Sequence, residues 1–130
     1  MFERGILGLS AIIWLPYGVY CFLQPGALTE AAGVVAASST GTTELRAMYG
    51  GLQMAIGALA LAAVFKPRLV SGALLTLVFL TGGLASTRLM GVLIDGGFSG
   101  YTGGALGFEI ISCVLALIAL GRSEPGPAPN

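Results

Sequence analysis

Four apolar runs, Gly5 to Leu23, Ala47 to Phe65, Leu69 to Thr87 and Gly103 to Leu120, constrain this chain more than any other feature. Each comes close to the roughly 20 apolar residues that carry an α-helix across the hydrocarbon core of a bilayer. Charged residues make up only 9% of the chain and hydrophobic residues 55%, against about 25% charged in soluble domains. The sequence therefore predicts an all-α, integral membrane four-helix bundle. The six basic residues balance six acidic ones, leaving no basic surface for nucleic acid and no polybasic lipid anchor. A cleaved signal peptide is the competing reading of the N-terminus, because Met1 to Arg4 is short and charged and Val34-Val35-Ala36-Ala37-Ser38 has cleavage-site character. The first apolar run is too long for a signal-peptide core, which favours a span.

The bundle is expected over residues 1–122, with 123–130, carrying Pro125, Pro127 and Pro129, as a disordered cytoplasmic tail. In helix 1, Trp14, Tyr17, Tyr20 and Phe22 gather toward one end, as in an interfacial aromatic belt, and Pro16 predicts a kink. Leu28 to Ala37 is too short to span and reads as a short interfacial helix between helices 1 and 2. Ser38 to Thr43 reads as a linker whose Thr42 or Thr43 caps helix 2. Lys66-Pro67-Arg68 is a very short turn, so helices 2 and 3 must be antiparallel neighbours. Small residues four apart in helix 3, Gly82 with Ser86 and Gly83 with Thr87, predict close helix packing. Asp95-Gly96-Gly97 reads as a turn.

Arg4, Lys66, Arg68 and Arg122 fall on one side of the bundle, with Arg46 and Arg88 on the other, so both termini are expected inside. The expected location is a bacterial inner membrane.

Glu109 lies on the order of 9 Å into helix 4, where an unpaired carboxylate is costly and must face a partner or a wet cavity. It shares a small and polar face with Thr102, Ala105, Ser112, Cys113 and Ala116, while Phe108 and Ile111 point elsewhere. Arg46, Tyr49 and Gln53 are three and four residues apart, so on a regular helix they share one face. Thr81, Ala85 and Arg88 form a stripe on helix 3. These residues predict a polar pocket near the outer surface, built from Glu44, Arg46, Tyr49, Gln53, Arg88, Asp95 and Glu109, with near-neutral total charge. Two roles are open for it. It could bind a small amphiphilic or zwitterionic ligand or a lipid headgroup; alternatively, the charges could be architecture in an accessory subunit of a larger membrane complex or homo-oligomer.

Nothing predicts catalysis. The chain has no histidine, and no metal or cofactor motif accompanies the site. Cys21 and Cys113 sit at depths that differ by on the order of 15 Å, so no disulfide is expected between them.

The residues Glu44-x-Arg46-x-x-Tyr49-Gly50-Gly51, Arg88-x-x-Gly91-x-x-x-Asp95-Gly96 and Glu109 together resemble a family of small bacterial four-helix membrane proteins classed as a domain of unknown function, and more distantly the DoxX-like group. The resemblance implies a four-helix inner-membrane bundle and brings no established activity.

Overall fold

The computed structural model describes residues 1–123. Among these residues all regular structure is helical. The helices are α1 (Phe2–Leu23), α2 (Ala27–Ala32), α3 (Ser39–Leu45), α4 (Leu52–Phe65), α5 (Val70–Asp95) and α6 (Gly100–Ser123). A π-helical turn, Arg46–Gly51, joins α3 to α4, and a single 3₁₀ turn, Pro67–Leu69, leads into α5. Four helical rods are long and apolar enough to cross a membrane: Phe2–Leu23, Ser39–Phe65, Pro67–Asp95 and Gly100–Ser123, of 22, 27, 29 and 24 residues. At about 1.5 Å per residue the shortest extends about 33 Å, enough for a hydrocarbon core of about 30 Å. The chain is a multi-pass membrane protein.

The spans are those expected from the sequence, but their ends lie further out. The second rod begins at Ser39, so the expected linker is helical from its second residue on. Ser38, in extended conformation, is the cap, its Oγ accepting the Gly41 N–H at 3.1 Å. The expected caps Thr42 and Thr43 instead donate their hydroxyls to the carbonyls of Ser38 and Ser39. Where several residues in a row can cap, the earliest adds another turn of backbone hydrogen bonds. The interfacial helix is shorter than expected. Gly33, at φ 70°, stops α2 after Ala32, since that left-handed conformation ends a helix without side-chain strain. The third rod runs past Thr87 to Asp95, where Gly96 at φ 69° ends it. α6 continues through Ser123; the rest of the expected tail, 124–130, lies outside the described residues.

α1 packs most broadly on α4, and α5 on α6. The α1 contact is set by glycine. A Cβ at Gly18 would lie 2.7 Å from the Met54 nitrogen, one at Gly57 2.7 Å from the Leu15 nitrogen, and one at Gly50 2.8 Å from Phe22 Cβ. Backbone thus lies against backbone, the arrangement that van der Waals packing favours in lipid. The expected close approach along α5 is mostly absent. A Cβ at Gly82 would meet only Cys113 Sγ, at 3.2 Å, and Gly83 faces open space. Ser86 and Thr87 are exposed and bond their own helix, at the carbonyls of Gly82 and Gly83. The short link between α4 and α5 does make them antiparallel neighbours, although they touch less than the two main pairs.

The apolar core is confined to one half of the bundle. It comprises Leu7, Ala11 and Trp14 of α1, Ile56, Ala60 and Ala63 of α4, Ala73, Leu74 and Leu77 of α5, and Ala116 and Ala119 of α6. They run from the end that carries the chain termini to about the middle of the bundle, Trp14 and Ile56 being the innermost on α1 and α4, so the dense packing lies at that end. The other half is built differently.

Candidate functional site

At the end away from the termini, the four rods line an open-sided cavity of about 700 Å³, within the size range of small-molecule sites. Ile13, Trp14, Leu52, Leu80, Leu84 and Phe108 give it apolar walls, and Tyr17, Tyr49, Gln53, Arg88, Tyr101 and Glu109 give it polar ones. Trp14 and Phe108 form the floor between cavity and core, their ring centroids 5.7 Å apart and their planes inclined at 59°.

The dominant interaction is the pairing of Arg88 on α5 with Glu109 on α6. Arg88 Nε donates to Glu109 Oε1 and Oε2 at 3.1 and 3.0 Å, and Nη2 donates to Oε1 at 2.6 Å. This side-on fork matches two guanidinium donors to one carboxylate, a strong and strongly oriented arrangement. Only 4% of the Glu109 side chain is exposed, against 27% of Arg88. The small residues Thr81 and Ala85 on α5, with Ala105 and Ala116 on α6, let the two helices carry the pair inward; Thr81 satisfies its own hydroxyl at the Leu77 carbonyl. Among the described residues this is the one side-chain to side-chain ion pair. Glu109 is thus neutralised at depth, as its position required.

Gln53 is the opposite case. It is only 9% exposed, yet its Oε1 is buried without a hydrogen-bond partner. A buried carboxamide in that state costs about 1–3 kcal/mol.

Of the seven residues expected to form the pocket, Tyr49, Gln53, Arg88 and Glu109 line the cavity. Glu44, Arg46 and Asp95 do not. Glu44 is exposed on α3. Arg46 is also exposed, its guanidinium 5.8 Å from the centre of the Phe22 ring. The π turn over Arg46–Gly51 inserts an extra residue into the turn, so Arg46 loses the face that regular spacing would share with Tyr49 and Gln53. Asp95 is the exposed last residue of α5, seven residues beyond Arg88 and so about 10 Å further along the helix.

Trp14, Tyr17, Tyr101 and Phe108 were not anticipated as site residues. Trp14 is buried and Tyr17 half-buried against the cavity, so only Tyr20 and Phe22 of the expected aromatic belt point outward. Phe108 turns inward as well, against the expected face. The spacing of Tyr101, Ala105, Phe108 and Glu109 is itself a helical stripe, and this signal could have identified the α6 wall. Cys21 and Cys113 are free thiols.

The arrangement offers aromatic faces, phenol hydroxyls, a carboxamide and a charge pair of zero net charge around a largely apolar volume. It is suited to hold and orient a molecule with both polar and apolar parts.

No curated protein and no solved structure matches the chain. The profile of one family, the domain of unknown function DUF4345, matches residues 2–120. A match over nearly the whole chain decides the relationship: this protein belongs to the DUF4345 family.

Proposed function

We propose that this protein binds a small amphiphilic molecule in the cavity between its four rods, at the outer-leaflet side of the membrane, and acts by binding rather than by catalysis. The observation that carries this reading is the asymmetry of the bundle. One half is packed with Leu and Ala, while the other keeps about 700 Å³ open around a buried, oriented ion pair. Charges serving architecture alone would have no need of the open volume beside them.

Native mass spectrometry of the protein released gently from its own membrane tests the reading. The wild type should carry a small adduct. Ala105→Phe, which places a ring in the cavity, should lose that adduct while retaining the helical content and thermal transition of the wild type. Wild-type protein that emerges with no adduct would count against binding.

Support for the orientation comes from charge. Arg4, Lys66, Arg68 and Arg122 belong to the end bearing the termini, against Arg46 and Arg88 at the other, of which Arg88 is neutralised by Glu109. An excess of positive charge on one face favours that face as cytoplasmic. We place the protein in a bacterial inner membrane, the location implied by the resemblance of its motifs to small four-helix membrane proteins. With Cys21 and Cys113 replaced by alanine, a cysteine introduced at Ala37 should react with an impermeant thiol reagent applied from outside. Labelling only after permeabilisation would reverse the topology.

A second reading, an accessory subunit of a larger complex, rests on the outer face of α5. There Gly72, Thr76, Gly83 and Thr87 are exposed and the two glycines face open space, a surface on which another span could lie closely.

A further inference from the structure

The chemistry of the cavity wall narrows the occupant further, on the footing that the cavity binds an amphiphile at all. We infer that it takes an uncharged, hydroxyl-bearing amphiphile from within the bilayer, with the hydroxyl held by the Gln53 carboxamide.

Three observations carry this. First, the charge of the wall is complete. Arg88 and Glu109 are its charged residues, and they engage each other through the fork. A headgroup with net charge would enter a site at membrane depth that holds no free counter-charge, the situation that keeps isolated ions out of bilayers. Second, Gln53 is nine-tenths buried, lines the cavity and has an acceptor without a partner. A hydroxyl both donates and accepts, so it complements a carboxamide in either orientation of its oxygen and nitrogen. The phenols of Tyr17, Tyr49 and Tyr101 add neutral hydrogen-bonding groups to the same wall. Third, the cavity opens sideways. Ile13, Met48 and Leu52 line it and are also exposed, at 37%, 55% and 40%. All three lie within the membrane-crossing rods Phe2–Leu23 and Ser39–Phe65. The mouth is thus apolar and lies along the side of the bundle, where a molecule dissolved in the bilayer meets it.

Trp14 makes the inference directly testable, because it is the single tryptophan of the chain, is 5% exposed and forms part of the cavity floor. Bromine quenches indole emission only at short range, so a labelled molecule in the cavity reports through Trp14. The full-length protein in phosphatidylcholine nanodiscs would be titrated with four bromine-labelled amphiphiles of one chain length: a primary alcohol, the hydroxyl-free alkane, an alkyl sulfate and an alkyl trimethylammonium. The alcohol should quench Trp14 saturably, with its midpoint about tenfold or more below those of the sulfate and the ammonium, since charge is disfavoured at this depth. It should also quench at lower concentration than the alkane, and Gln53→Leu should remove that advantage. Equal midpoints for alcohol and charged amphiphiles would overturn the uncharged headgroup while leaving an amphiphile-binding cavity standing. Equal midpoints for alcohol and alkane would overturn the hydroxyl contact. No saturable quenching by any of the four would overturn the cavity's binding role along with this inference. The comparison among amphiphiles is made on wild-type protein, so the outcome does not depend on Gln53→Leu folding.

Discussion

Glu109→Ala should destabilise the bundle by about 3–5 kcal/mol, the loss expected when one partner of a buried ion pair is removed and the other is left behind. The magnitude follows from where Arg88 sits. It lies seven residues before the end of α5, with its side chain about three-quarters covered and both Nε and Nη2 directed at Glu109. Without the carboxylate the guanidinium loses the one side chain to which it is hydrogen-bonded. Glu109→Gln keeps an acceptor but loses the charge and should cost less, about 1–3 kcal/mol. The double replacement Arg88→Met with Glu109→Leu should recover most of the loss, because well-packed apolar residues often match a buried pair in stability. Equilibrium unfolding in mixed micelles, run as a double-mutant cycle, measures both the single losses and the coupling. Single variants within about 0.5 kcal/mol of wild type would mean that water in the cavity already solvates Arg88 and that the pair is not effectively buried. The double variant also separates two roles. If it is stable yet emerges from its membrane without the adduct carried by wild type, the pair serves the site and not only the fold.

The parts of this arrangement legible in the sequence are those fixed by the solvent. A bilayer penalises an unpaired backbone group or charge so heavily that apolar length announces each span and depth alone marks Glu109 as paired. The sequence leaves Arg46 and Arg88 both open as its partner, and only the structure selects Arg88. Less legible were features set by local competition among similar choices. Ser38, Thr42 and Thr43 can all cap a helix, and only the extended conformation of Ser38 decides between them. Regular helical spacing joins Arg46 to Tyr49 and Gln53, and the π turn over Arg46–Gly51 breaks that face. The glycines within and beside this turn gave a hint. Gly50 lies in it, at the point where a Cβ would meet Phe22, so the irregular turn coincides with a close approach of α1. Trp14 and Tyr17 were ambiguous for another reason. Amphipathic aromatics favour a membrane interface and a mixed cavity wall alike, and only packing tells the two apart.

The glycines of this chain should divide sharply in their response to substitution. Gly57→Ala should destabilise by about 1–3 kcal/mol as overpacking. The new Cβ would stand 2.7 Å from both the Leu15 nitrogen and its Cγ; the Cγ can rotate away, but the nitrogen belongs to the backbone of α1. Relief therefore requires α1 to shift as a body, and Gly57→Leu should detach it from α4. Gly83→Ala in purified protein should instead fall between neutral and about 1 kcal/mol stabilising, because alanine is the better helix former and nothing lies within 4 Å of that position. The same unfolding assay reads both. A destabilised Gly83→Ala in isolated protein would contradict the packing of α5. A Gly83→Ala chain that is stable when purified, yet is degraded or mislocalised in its native membrane, would carry a different message. The outer face of α5 would then be covered there by another span that needs the glycine's close approach, and the accessory-subunit reading would gain what the bundle alone does not supply.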